Sequence, residues 1–188
     1  PFMVTLQQLL FPILLSAVLV FVMSSLIHMV LKWHNTDYRK FSNEDAVRAA
    51  ISGGSASPGQ YVLPWAQSME ECKTPEFEKK MLEGPIAMVW IKRPGPMKMG
   101  PQLGQWFVFN LLVSVFVAYL ASRTLPAGTD YLRVFQVVGT VGFMTYGLGE
   151  IPMSIWMGKP WIVAAKEAAD GLLYGLMMGG AFGWLWPR

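Results

Sequence analysis

From Leu9 to Leu31 the chain runs without a single formally charged residue. A helix needs roughly 20 apolar residues to cross the hydrocarbon core of a bilayer, and only helices and closed barrels satisfy their own backbone amides there. A second uncharged stretch lies between Lys98 and Arg123. A third runs from about Tyr131 to Trp156, with Arg133 at its entrance and Glu150 as its one acid. The fourth, from about Ala165 to Trp186, confines its charges to Lys166, Glu167 and Asp170 in the first turns. Together they predict a membrane all-α fold, a four-transmembrane-helix bundle. The first stretch reads as an uncleaved anchor. Its apolar run is longer than that of a signal peptide, no basic residue precedes it, and no small-x-small cleavage site separates it from His28 and Lys32.

The charges that the spans lack are gathered elsewhere. Only 14% of the chain is charged, against about 25% in an ordinary soluble domain, and 18 of the 27 Asp, Glu, Lys and Arg residues fall between Lys32 and Lys98. The chain therefore divides into a first transmembrane helix at 1–32, a small α/β domain at 33–102 and a three-helix membrane bundle at 103–188. Lys32, Arg39, Lys40, Lys92, Arg93, Lys98, Lys159 and Lys166 lie on one side of the predicted spans, and only Arg123, Arg133 and Arg188 lie on the other. Basic residues concentrate on the cytoplasmic side. The inserted domain is accordingly expected in the cytoplasm and both ends of this chain in the periplasm. A net charge of +3, dispersed along the chain, argues against a nucleic-acid surface. One cysteine, Cys72, allows no intrachain disulfide and no cysteine-based zinc site.

Within the insertion, Ser42 to Asp45 has the pattern of a capping box opening a helix to about Ile51. Tyr61 to Leu63 reads as a short strand. Thr74, Pro75, Glu76 and Glu78 form a strong helix start, and Gly84 stops that helix after Glu83. Ile86 to Ile91 reads as a strand apolar on both faces. Two strands and two short helices bury too little to be stable alone. Cover from another protein is expected.

Ionisable residues in or near the spans are few. Glu150 is a possible intramembrane charge, explained most simply by pairing with Lys159 or Lys166 at the interface. Lys166 and Asp170 stand four apart and are expected to pair on one helical face. His28 and His34 are the only histidines, and six residues apart they do not share a helical face, so no haem or metal site is assigned to them. No nucleotide-binding, hydrolase or metalloprotease signature occurs. The sequence therefore assigns no catalytic, cofactor-binding or metal-binding residues and no cofactor. Its strongest motif is a stripe of glycines, Gly171, Gly175, Gly179 and Gly183, which allows another helix to approach closely. The partner helix, in this chain or another, stays open.

Several short pieces, among them His28-Met29, Asp37-Tyr38, Glu44-Asp45-Ala46-Val47, Pro75-Glu76-Phe77, Asp170-Gly171-Leu172 and Phe182-Gly183-Trp184-Leu185-Trp186-Pro187, together resemble a set of uncharacterised bacterial inner-membrane proteins. The resemblance runs from His28 onward. It implies a bacterial inner-membrane location and carries no chemistry with it.

These features point to a non-catalytic accessory or scaffold subunit of a multi-subunit membrane complex, of a respiratory or photosynthetic kind. Its expected partners are the lipid bilayer and other membrane-protein subunits or further copies of itself, with no nucleic acid. The alternative is a small oligomeric transporter or proton-conducting protein using Glu150. The few other polar groups in the spans, chiefly Asn110, Gln136, Thr140 and Thr145, count against a continuous lining.

Overall fold

The computed structural model describes residues 3–54 and 57–188. It is mostly helical, at 69%, with one small two-stranded sheet. In chain order the elements are α1 (Leu10–Ser25), α2 (Glu44–Gly53), β1 (Gly59–Leu63), α3 (Pro75–Glu83), β2 (Ala87–Ile91), α4 (Met99–Thr124), α5 (Tyr131–Tyr146), α6 (Ile151–Met157) and α7 (Trp161–Trp184). They form two compact units, one of Pro1–Tyr38 with Lys98–Arg188 and the other of Arg39–Met97.

The larger unit packs α1, α4, α5 and α7 around Leu9, Ile13, Val20, Ile27, Val113, Val117, Val134, Val138, Met178 and Phe182. Its outer surface is no less apolar: Phe11, Leu14, Val18 and Val22 of α1 and Val108, Leu112 and Phe116 of α4 are exposed. Apolar side chains facing both inward and outward suit a helix whose solvent is hydrocarbon. Among the described residues, two helices are long and apolar enough to cross a membrane, Gln7–Leu31 and Met99–Thr124.

The third and fourth predicted spans differ from that description for identifiable reasons. The third is broken. α5 has 16 residues and reaches about 24 Å at 1.5 Å per residue, after which a 3₁₀ turn at Leu148–Glu150 leads into the seven-residue α6. Gly147, Gly149 and Pro152 supply the break. α7 has 24 residues, but Glu167, Asp170 and its glycines lower its hydropathy.

Those glycines set how α7 packs. A Cβ at Gly175 would lie 2.6 Å from the Gly139 carbonyl oxygen and 2.8 Å from the Phe143 amide nitrogen. At Gly179 it would lie 2.8 Å from the Phe135 carbonyl oxygen, and at Gly183 2.8 Å from the Tyr131 ring. A Cβ at Gly171 would overlap the backbone of Gly147. The whole stripe therefore faces α5 and its following turn, in backbone contact with a helix of the same chain. Gly139 and Gly142 reciprocate from α5, since a Cβ at Gly142 would sit 3.0 Å from the Gly175 Cα.

One end of this unit is tied shut. Trp186, buried, donates its indole N–H to the Pro126 carbonyl at 3.0 Å, and the Gly128 amide donates to the Pro187 carbonyl at 2.9 Å. The opposite end carries the polar residues described below.

In the smaller unit, β1 and β2 pair antiparallel, with Gly59 opposite Ile91 and Leu63 opposite Ala87. α3 begins and ends where its sequence signals stand: the Thr74 hydroxyl accepts from the Phe77 amide at 3.3 Å, Pro75 takes the first position, and Gly84 adopts φ +61°. α2 begins at Glu44 without the capping box, as its N-cap Asn43 makes no side-chain bond to the helix. None of the described residues of 39–97 is buried. Trp65, Trp90, Leu63, Met69 and Leu82 are all exposed.

Candidate functional site

The chain leaves α1 through a π-helical turn at Leu26–Leu31, passes Lys32 in the left-handed region at φ 56° and folds back as a 3₁₀ turn at Trp33–Thr36. A lysine there is a strained choice. The strain is held by Lys166 of α7, whose ammonium donates to the Trp33 carbonyl at 2.8 Å, to the Thr36 hydroxyl at 2.9 Å and to the Asp37 carboxylate. Burial raises the proton affinity of Asp37, but the bonds and charges of Lys166 and His34 outweigh it and hold the carboxyl below its ordinary range.

This turn brings together residues that their spacing appeared to separate. The rings of His28 and His34 lie parallel, 4.6 Å between centroids. The wide π turn and the reversal at Lys32 break the regular helical period on which their separation rested. The expected Lys166–Asp170 pair does not form, because each has a better partner across the fold. Lys166 turns to Asp37, while Asp170 Oδ2 lies 2.8 Å from His34 Nε2. His34 Nδ1 is 2.6 Å from Asp37 Oδ2, and His28 Nδ1 is 3.0 Å from the Ser24 carbonyl. Asp170 is buried, and its Oδ1 has no hydrogen-bond partner among the described residues.

Beside the cluster opens a cavity of about 520 Å³. Part of its wall is aromatic, from Trp106, Phe109, Tyr146 and Tyr174. The rings of Tyr146 and Tyr174 meet edge to face at 5.4 Å, and Trp106 is fixed by its indole N–H on the Ser24 hydroxyl at 2.8 Å. Beneath it, the Tyr146 hydroxyl donates to Asn110 Oδ1 at 2.9 Å. Further along α4, the Ser16 hydroxyl donates to that of Ser114 at 3.0 Å.

Glu150 sits in the turn before α6 with its side chain half exposed, and it accepts a bond from Lys159 at 3.0 Å. Lys159 also holds Glu167, at 2.6 Å. Burial disfavours the ammonium, but its bonds to Glu167 and Glu150 more than compensate and raise its proton affinity above the ordinary lysine value. Glu150 is thus a partner of Lys159 and one of the residues lining the cavity. Gln136 and Thr140 are exposed and lie outside the cavity lining, whereas Thr145, also exposed, stands at the cavity wall. Protein-family models, curated proteins and solved structures all show no match to this chain. The site's own geometry is what bears on its role.

Sequence reasoning missed the His28–His34–Asp170 cluster. The available signal was local: Asp37 three residues after His34, and a lysine and an aspartate one turn apart in α7 facing the same end of the bundle.

Proposed function

We propose that this chain is a four-span protein of a bacterial inner membrane and serves as a non-catalytic accessory subunit of a larger membrane complex, with segment 39–97 as its docking unit on the cytoplasmic side. The observation that carries the reading is the lack of any buried residue among the described residues of 39–97. A unit that leaves Trp65, Trp90 and Leu82 in solvent has little hydrophobic stabilisation of its own and gains it by being covered. Gln136 and Thr140 add support. They stand one turn apart on the exposed face of α5, where a protein neighbour offers hydrogen bonds that lipid does not.

The rival reading, a conducting or transporting protein, draws on the cavity and on the inward line from Tyr146 to Asn110. That line meets buried Val117 and Ala121 and the end closed by Trp186, so it offers ions no continuous polar route. Extraction in a mild detergent followed by native electrophoresis discriminates the two. The accessory reading predicts migration within a defined larger assembly containing other polypeptides. A monodisperse species made only of this chain would overturn it.

A further inference from the structure

The hydrogen bonds around His28, His34 and Asp170 sort their ligand atoms. His34 Nδ1 is held on Asp37 and His28 Nδ1 on the Ser24 carbonyl. With a proton on each Nδ1, both Nε2 atoms present lone pairs. An imidazole whose other nitrogen donates to a carboxylate or a backbone carbonyl is the usual surrounding of a metal-bound histidine, because that bond fixes the tautomer and the ring. His34 Nε2 faces Asp170 Oδ2 at 2.8 Å, a contact between two acceptors that calls for a cation or a proton between them. Asp170 Oδ1 is buried on a residue only 3% exposed and has no partner among the described residues, whereas buried carboxylate oxygens are normally satisfied. One ligand atom from each of the three residues lies within 4.8 Å of the other two.

We infer that His28, His34 and Asp170 form a binding site for a divalent first-row transition-metal ion, zinc being the type, held by the two Nε2 atoms and the Asp170 carboxylate.

The competing account places a proton on each nitrogen of His34 and lets the imidazolium bridge Asp37 and Asp170. It explains the two His34 contacts but gives neither Asp170 Oδ1 nor His28 Nε2 a role. The parallel rings define what binding requires: His28, the exposed member of the pair, exchanges its Ser24 contact for a rotation that turns its Nε2 toward that of His34, closing the ligand atoms onto metal–nitrogen distances of about 2.0–2.1 Å. Two imidazoles and one carboxylate favour zinc, iron or cobalt over magnesium and calcium, which prefer all-oxygen shells. Three protein ligands leave a position open. His28 and Asp170 both line the aromatic cavity, so water or a small ligand there can complete the shell. The site is independent of the accessory reading, which concerns the other unit.

The test uses the full chain, purified in detergent with an affinity tag free of histidine, stripped with a chelator and titrated with cobalt(II). The visible bands of cobalt report its coordination, and zinc is then added in competition. The expected result is saturation at one cobalt ion per chain, displaced by zinc, with His28→Ala and Asp170→Asn each weakening binding about tenfold or more, and Glu150→Gln leaving it unchanged. His28→Ala removes the Ser24 contact and the stacking on His34 from an exposed position, and it decides the question if Asp170→Asn does not fold. Absence of saturable binding by the folded wild type, or an unaltered titration in folded His28→Ala, would overturn the site.

Discussion

Lys159 holds two carboxylates, Glu150 and Glu167, and so joins the turn before α6 to the second turn of α7. Its replacement by methionine leaves the two acids facing a common space without a cation. The expected cost is about 1 kcal/mol, the upper end for a partly exposed ion-pair network. The pH dependence has a definite sign. The folded ammonium has its proton affinity raised, so its contribution is complete below the ordinary lysine value of about 10.4 and fades as the pH rises through the higher folded value. Thermal unfolding in detergent should therefore show a constant gap between wild type and Lys159→Met from pH 6 to 9. A gap that closes within that window would assign the stabilisation to another group. That Glu150 pairs with a following lysine, Lys159 or Lys166, was readable from the sequence, because such a lysine is the natural partner of an acid near a predicted span end. Lys166 with Asp37 was not. It depends on the chain reversing at Lys32, and the residue there carries no glycine or proline to announce the turn.

At the scale of elements, α5 and α7 are locked by glycine against backbone, and the lock is specific to position. Gly175→Leu or Gly179→Leu would drive a side chain into backbone atoms of α5 already 2.6 to 2.8 Å from the nearest possible Cβ. The expected loss is about 1–3 kcal/mol from overpacking. Gly180 provides a control on the same helix, since a Cβ there would meet only the Tyr131 hydroxyl, at 3.9 Å. Gly180→Ala should be neutral or raise stability by about 0.5–1 kcal/mol through helix propensity. The measurement is the fraction folded through a graded detergent or thermal challenge. Equal survival of Gly175→Leu and Gly180→Ala would show that the α5–α7 contact does not limit stability. The four-residue period made the stripe legible, because period is a local property. Its partner was not legible. Gly139 and Gly142 are too few to form a stripe of their own, and only the antiparallel pairing of α5 with α7 sets them opposite Gly175. The break after Tyr146 was half legible: Pro152 signals a bend, but two isolated glycines do not say that the helix stops.

For the molecule as a whole, the proposed topology would put segment 39–97 in the cytoplasm, and Cys72, exposed in that segment, reports on it. With the outer membrane permeabilised and the inner membrane intact, an impermeant thiol reagent should leave Cys72 unlabelled until detergent is added. Ready labelling before detergent is added would reverse the topology. The deeper claim is that this segment is built to be covered. Composition made the insertion visible, through its share of the charges, and strand patterning made visible that both faces of Ile86 to Ile91 want cover. The covering partner proposed for them could not be read from the sequence of one chain. Hydrogen exchange on the amides of Gly59–Leu63 and Ala87–Ile91 tests the claim most directly, comparing the mildly extracted native assembly with the chain purified alone. The account predicts slow exchange in the assembly and rapid exchange in the isolated chain, since a two-stranded sheet without a core opens readily. Equally strong protection in both would show that the unit is stable uncovered and would contradict the accessory role.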